Sequence, residues 1–497
     1  MKKIVTVFLI EIIALIVSSI LWTFRIFPYL QLDELIYQLN SSIEGTSSGI
    51  ISGYLLTALL PSLIFTALVV ILYKGMQPRF YKRFRISVII LLVGSLVLSV
   101  GCLFSKLNVS AYLSGVKVSE EDETSNQKEF IEEYYVNPAN VNITFPTKKR
   151  NLIILYLESM EMTYSDEEDG GAEEDNYIEE LTEIGKENEN FSGTSTTLNG
   201  AHSLSGTTWT MGALFATQSG LPLKVSINGE ALDAQDEFFP SITTLGDILK
   251  EQGYQNVFMC GSDAAFGGRK TFFETHGDYE VLDLNYMNEN DKLPTENYHD
   301  DWWGFEDEYL FEFAKEKITE LAESGEPFNF DMLTVDTHFE DGHTCDKCED
   351  TYDTQYANVI ACSSRQVSEF IEWCKSQDWY SNTTILVTGD HPTMDSDFLL
   401  SIDSDYDRRV FTAYINSAKT YTGEERSYSS FDTFPTILAS IGASIDGDKL
   451  GLGVNLYSEE KTLIEQEGID AVNDKLIARS EFMESLSSEG ETDDNEE

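Results

Sequence analysis

Asp390 and His391 close the apolar run TTILVTGDH and set a carboxylate and an imidazole side by side at a predicted strand end. In open α/β sheets, ligand sites form outside the carboxyl ends of the strands, so this pair points to a site at the rim of a sheet. Glu158 ends a second run of the same kind, NLIILYLES, and Thr207 in SLSGTTWTMGALF adds a hydroxyl. Carboxylates, imidazole and hydroxyl together form a donor set for a hard or borderline divalent cation. A hydroxyl activated by such a cation is a nucleophile for phosphoryl or sulfuryl transfer. Taken singly, Glu158 also reads as a carboxylate at a helix start, and Asp390–His391 as a capped turn. Their recurrence at equivalent strand ends favours a site.

GTTWT at 206–210 leads into the apolar-periodic run MGALFATQSG, which predicts a helix with Thr207 or Thr208 at its N-terminus. Backbone amides there favour an anion, although Ser and Thr are also ordinary N-caps. His338 ends FNFDMLTVDTH, a further predicted strand end. It is placed to protonate a leaving group or to hydrogen-bond an anionic substrate, and a purely structural role has equal weight. Arg269 follows two glycines in AAFGGRKTFF and has the fork geometry to hold a phosphate.

The elements that must position these residues alternate from Asn151 onward. NLIILYLE is a continuous apolar run, as a strand buried on both faces requires. SITTLGDILKEQGY predicts a helix and QNVFMCG a strand. DEYLFEFAKEKITELAESG is a helix closed by glycine, before the strand FNFDMLTVDTH. SSRQVSEFIEWCKSQ is a helix before TTILVTGDH, and FDTFPTILASIGA is a helix with Asp432 as its expected N-cap. Repeated βα alternation predicts an α/β fold, a mostly parallel sheet with helices on both faces.

Three stretches ahead of this domain are long and apolar enough to span a bilayer: roughly 4–24, 51–73 and 86–104. Lys2 and Lys3 lack a following small-residue cleavage site, which argues against a removable leader. Basic residues sit at the start and in the second loop (Lys74, Arg79, Lys82, Arg83, Arg85), whereas the first loop has Arg25 against Asp33, Glu34 and Glu44. The positive-inside rule then places the N-terminus in the cytoplasm and everything after about residue 105 outside. Glu11 within the first span reads as a helix-facing carboxylate. The expected organisation is a membrane domain over 1–105, an extracytoplasmic stalk over 106–150, a catalytic domain over 151–480 and a disordered acidic tail over 481–497.

The chain of 497 residues has a formal charge of −52, and residues 106–497 alone carry 25 basic and 81 acidic side chains. Such a field repels nucleic acid and anionic surfaces at long range, so attraction for an anionic substrate must be local. Of six cysteines, Cys102 and Cys374 read as packing residues and Cys260 has no evident partner. Cys345, Cys348 and Cys362 cluster beside His343. Two readings are open: a Cys3His zinc site, or, favoured by an oxidising exterior, a disulfide from Cys362 to one of the other two.

NLIILYLES, SGTTWTMGALFATQSGLPL, DDWWGFEDEYLFEFAKEKI, LTVDTHFEDG and VTGDHPTM together resemble the membrane phosphoglycerol transferases, a group that includes phosphoglycerol transferase I and, more distantly, lipoteichoic acid synthase. All belong to the alkaline phosphatase/sulfatase superfamily. The likeness runs from about residue 150 to 456. It implies an alkaline phosphatase/sulfatase-like sheet and one divalent cation, typically manganese with magnesium or zinc as alternatives. The residues matching the metal ligands are Glu158, Thr207, Asp390 and His391, with Thr207 matching the nucleophile. His338 and Arg269 match positions that contact glycerol phosphate.

The implied chemistry is ping-pong. Phosphatidylglycerol, the donor already present in the bilayer, loses diacylglycerol to form a phosphoglycerol-threonine intermediate, which passes its group to a glycan or glycolipid. Two departures bear on the acceptor: lipoteichoic acid synthases have five spans against three here, and the cysteine spacing differs from that of the glucan-modifying enzymes. The alternatives are a sulfuric ester hydrolase, a phosphoethanolamine transferase, or an inactive glycan-binding membrane protein. GTTWT lacks the Cys/Ser-x-Pro-x-Arg motif of sulfatases, and the chain has few of the extra cysteines typical of phosphoethanolamine transferases.

Overall fold

A computed structural model describes residues 2–27, 30–40, 48–113, 129–225, 237–294, 302–395, 397–403 and 405–488. The chain forms two compact units: 1–32 with 46–117, and 33–45 with 118–497. In the first unit, three helices are long and apolar enough to cross a membrane, Ile4–Ile26, Ile50–Gly75 and Pro78–Lys106. The third begins eight residues ahead of its expected start, because the basic stretch between Pro78 and Arg85 is itself helical. Within this unit the Glu11 carboxylate accepts a hydrogen bond from Ser62 Oγ at 2.8 Å, which gives the acid inside this apolar helix a polar partner.

The second unit is built on a seven-stranded sheet. Its strands are β1 (Asn151–Leu157), β2 (Gly200–Ala201), β3 (Gln255–Cys260), β4 (Glu280–Leu282), β5 (Phe328–Leu333), β6 (Thr383–Gly389) and β7 (Val410–Ile415). Their order across the sheet is β2-β7-β6-β1-β5-β3-β4. The five strands from β6 to β4 are parallel, and β7 joins antiparallel to β6. Every residue of β1, β5, β6 and β7 is buried, which explains why these strands read as continuous apolar runs with no alternation. Core residues from β1, β3, β5 and β6 pack with the helices Asp307–Ser324 and Gln355–Lys375.

β1 and β6 are in register, with Leu157 opposite Gly389, so the residues that follow them, Glu158 and Asp390, emerge side by side. Gly389 is required there: a Cβ would lie 1.8 Å from the Met160 carbonyl oxygen. β5 ends at Leu333, five residues short of His338, because Thr334 and Asp336 turn the chain over the rim of the sheet.

Residues 129–150, expected as stalk, are folded onto the second unit. Phe130–Tyr134 is a short helix, and Ile143–Thr144 pairs antiparallel with Ser444–Ile445. Buried Ile131 supplies the apolar anchor that the polar stretch before it lacks. Likewise Glu481–Leu486 is helical, with Met483 buried and Ser480 Oγ donating to Glu129 at 2.7 Å. The rest of the expected stalk and the acidic tail beyond Ser488 lie outside the described residues. Ser429, and not Asp432, caps the helix Ser430–Ser440, with Asp432 returning the bond as the third residue of a capping box.

Candidate active site

Glu158, Asp390 and His391 come together with ligand atoms all within 4.8 Å of one another. His391 Nε2 lies 3.5 Å from Glu158 Oε1 and 3.5 Å from Asp390 Oδ2. Each side chain is held by a second partner. Asp390 Oδ1 accepts from the Ser159 amide at 2.8 Å and from the His391 amide at 2.7 Å. Glu158 Oε1 accepts from Ser159 Oγ at 2.8 Å, and the Glu158 amide donates to Thr334 Oγ1 at 2.9 Å. His391 Nδ1 faces the Pro392 carbonyl at 3.0 Å, which fixes the tautomer that turns the Nε2 lone pair toward the carboxylates.

This arrangement fits a cation. Glu158 is 2 % exposed and Asp390 and His391 3 % each, and no Lys or Arg pairs with either carboxylate among the described residues. Among the described residues, Asp390 Oδ2 is buried without a hydrogen-bond donor. Burial, and then the neighbouring Glu158, push the Asp390 carboxyl up to about 7. Burial opposes a charged His391, yet Asp390 and Glu158 outweigh it and move that ring's pKa upward. A buried cluster so short of positive charge is relieved by a dication with oxygen and nitrogen ligands.

The hydroxyl at this cluster belongs to Thr210 and not to Thr207. Thr210 Oγ1 lies 3.4 Å from Glu158 Oε2 and 3.3 Å from His391 Nε2. Thr207 Oγ1 instead donates to the Leu204 carbonyl and accepts from the Leu204 amide, both at 2.9 Å, and so closes a local turn. Thr208 Oγ1 makes no hydrogen bond to the cluster. The reason is the helix start: Thr210–Ser219 begins two or three residues later than expected, so Thr210, and neither Thr207 nor Thr208, is its first residue. Gly206, with φ +86°, makes the preceding turn, and a Cβ there would lie 2.7 Å from Pro222.

His338 is partly buried in a ring of aromatics, 5.0 Å from Trp303 and 4.9 Å from Phe339 between centroids. Burial lowers its pKa, Glu158 opposes this, and His391 and Arg269 lower it further. With Nδ1 facing the Phe339 carbonyl at 2.7 Å, neutral His338 presents Nε2 as an acceptor. Arg269 is 5 % exposed. Its Nε donates to Phe266 O at 3.1 Å, and its Nη2 to Asp263 O at 2.7 Å and Ser262 Oγ at 3.1 Å.

One wall of this region comes from far away in sequence. The helix Leu32–Asn40 presents Asp33, whose Oδ2 lies 2.6 Å from Lys224 Nζ and 3.1 Å from Ser205 Oγ. Glu34 is near enough to His391 to raise its pKa, and Tyr37 donates to the Gly267 carbonyl, two residues before Arg269. In the sequence Asp33 and Glu34 are two acidic residues of the first loop. No local pattern points to their placement beside Ser205 and Lys224.

A mostly parallel sheet with its ligand cluster at the carboxyl edge is an alkaline phosphatase-like architecture. A protein of the alkaline phosphatase superfamily from Vibrio parahaemolyticus shares it, with a TM-score of 0.50 and 20 % identity over 72 % of this chain and 80 % of that one. Residues 150–443 match the Sulfatase family, and the chain belongs to it. Phosphoglycerol transferase I of Escherichia fergusonii is 36 % identical over 269 residues, which is 53 % of this chain and 33 % of that protein. Its counterpart in Salmonella typhimurium is 35 % identical over 271 residues, with the same coverage. The match thus spans about a third of the length of these relatives.

Proposed function

We propose that this protein is a membrane-anchored phosphoglycerol transferase that moves glycerol phosphate from phosphatidylglycerol to an extracytoplasmic glycan or glycolipid and releases diacylglycerol. The observation that carries the reading is Thr210 Oγ1 at the first residue of its helix, 3.3 Å from His391 and 3.4 Å from Glu158. Likeness to proteins named phosphoglycerol transferase I supports the choice of transferred group. The three apolar helices support a membrane location.

Glu158, Asp390, His391 and the Thr210 hydroxyl would hold one divalent cation, with manganese first among the candidates. When bound, it supplies Lewis acidity that makes the threonine hydroxyl more acidic and offsets charge on the phosphate. Thr210 Oγ1 attacks the phosphorus, the bond from phosphorus to the diacylglycerol oxygen breaks, and a phosphoglycerol-Thr210 ester results. His338 Nε2 takes up the threonine proton and returns it to the departing diacylglycerol oxygen. Arg269 and the amides at the start of the Thr210 helix hold the non-bridging phosphate oxygens. An acceptor hydroxyl then attacks the same phosphorus and loses its proton to His338, the bond from phosphorus to Thr210 Oγ1 breaks, and His338 returns that proton to Thr210 Oγ1.

Asp33–Gly45 groups with the catalytic unit, and it lies between the first two apolar helices. This supports a topology in which the first loop and the catalytic unit share one side of the membrane, as basic-residue placement predicts for the exterior.

The test is incubation of membranes with fluorescent phosphatidylglycerol and manganese, scoring labelled diacylglycerol. Wild type and Thr207→Ala release it, whereas Thr210→Ala and EDTA-treated wild type do not. Full release by Thr210→Ala removes Thr210 as nucleophile, and release unaffected by EDTA removes the cation. Turnover of phosphatidylethanolamine in place of phosphatidylglycerol would change the donor.

A further inference from the structure

Cys345, Cys348 and Cys362 form a second cluster in the catalytic unit, separate from the Thr210 site. Cys345 Sγ lies 3.7 Å from Cys348 Sγ and 3.7 Å from Cys362 Sγ, and all three sulfurs fall within 4.8 Å of one another. The disulfide favoured from compartment is not formed: a sulfur–sulfur bond is about 2.05 Å long, and all six cysteines are free. The spacing has a different natural origin. Four ligands at the zinc–thiolate distance of about 2.3 Å, arranged tetrahedrally, put neighbouring sulfurs about 3.8 Å apart.

The backbone is also arranged for such a site. Cys345 and Cys348 sit on one C-x-x-C turn, closed by the Cys348 amide donating to Cys345 O at 3.1 Å. Cys362 and Gln366 are one helical turn apart on the helix Gln355–Lys375. Gln366 is buried, and its amide nitrogen lies 3.5 Å from Cys362 Sγ and 3.7 Å from Cys345 Sγ, while its Oε1 is buried with no partner among the described residues. Amide nitrogen and oxygen exchange by a half-turn of the side chain. Turned that way, the oxygen stands at about the 3.6 Å expected between a sulfur and an oxygen on a tetrahedral zinc. His343 does not complete the set: it stacks on Trp302 at 4.2 Å and faces Glu306 at 3.8 Å.

We propose that Cys345, Cys348 and Cys362 bind a zinc-class cation, with the Gln366 amide on the fourth side. Binding displaces the three thiol protons, so the site fills more readily as pH rises. The cation fastens the loop from Thr334 to Thr354, which carries His338, onto the helix Gln355–Lys375. It is a structural clip: all four positions are taken by protein.

The test uses the full chain in detergent, purified without chelator and analysed for metal by mass spectrometry. Asp390→Ala, which disables the other cluster, retains one equivalent of zinc, and Cys348→Ser in that background loses it. Cobalt replacement gives a thiolate-to-metal charge-transfer band that Cys348→Ser abolishes. A strong chelator makes three protected thiols reactive toward iodoacetamide in the wild type, a readout that needs no variant to fold. The proposal is overturned by an intact mass about 2 Da below the reduced chain with the Cys362 peptide cross-linked. It is equally overturned by three thiols that react at once without chelator, or by zinc content that Cys348→Ser leaves unchanged.

Discussion

Removing one partner of the Asp33–Lys224 pair tests whether the segment between the first two apolar helices is part of the second unit. The carboxylate oxygen and the ammonium are 2.6 Å apart, and both side chains are at most 5 % exposed. Asp33→Ala strands the Lys224 ammonium away from water, and Lys224→Met leaves Asp33 with the Ser205 hydroxyl at 3.1 Å as its one side-chain partner among the described residues. Breaking a buried pair on one side costs about 3–5 kcal/mol, most of it desolvation of the charge left behind. Unfolding entropy of about 2.1 cal/mol/K per residue, over the roughly 390 residues of this unit, gives about 0.8 kcal/mol/K. Each single variant should therefore lower Tm by about 4–6 °C. The double variant Asp33→Ala/Lys224→Met leaves neither charge, and should lose about 1–2 kcal/mol less than the sum of the singles. Tryptophan fluorescence during heating of the detergent-solubilised chain reads Tm, and diacylglycerol release reads the site beside it. Single variants within 1 °C of wild type, or losses that simply add, would refute the idea that this pair clasps the wall of the site.

Asp331 in β5 is pushed up to about 8 by burial, with Gln218 donating to it at 3.0 Å. The folded state then holds a proton that the unfolded carboxyl gives up near pH 4, so the contribution is present at low pH and lost as pH rises through 8, at up to about 1.4 kcal/mol per pH unit. Asp331→Asn should flatten the fall in denaturant midpoint between pH 5 and 8, and an unchanged slope would exclude Asp331 as its source. Arg269→Lys loses the fork that reaches the Phe266 and Asp263 carbonyls and Ser262. Diacylglycerol release at subsaturating phosphatidylglycerol should drop about ten- to a hundredfold, and Tm should fall by about 2–4 °C as those internal hydrogen bonds go. A drop below twofold would take Arg269 out of phosphate binding.

Much of the site was legible in the chain because β1 and β6 are buried on both faces. A charged residue directly after such an apolar run has nowhere to go but the rim, which is why Glu158, Asp390 and His391 stand out without any structure. The cysteine cluster was visible too, but its geometry was not. Spacing alone cannot separate a disulfide from three thiols 3.7 Å apart, since that depends on how a loop meets a helix.

The choice of hydroxyl was decided only by the fold. Within SGTTWT the residue types are near equivalent, and a shift of two or three residues in where the helix begins determines which threonine faces the carboxylates and which closes a turn on Leu204. Ahead of that start, Gly206 makes a left-handed turn so close to Pro222 that a Cβ would lie 2.7 Å away, a meeting of segments that no periodicity encodes. The wall built from Asp33, Glu34 and Tyr37 belongs to the same category, since Asp33 meets Lys224 across 191 positions of chain. Apolar patterning is a local property and can be read locally. The pairing of isolated polar side chains across such separations is settled only when the core has brought them together.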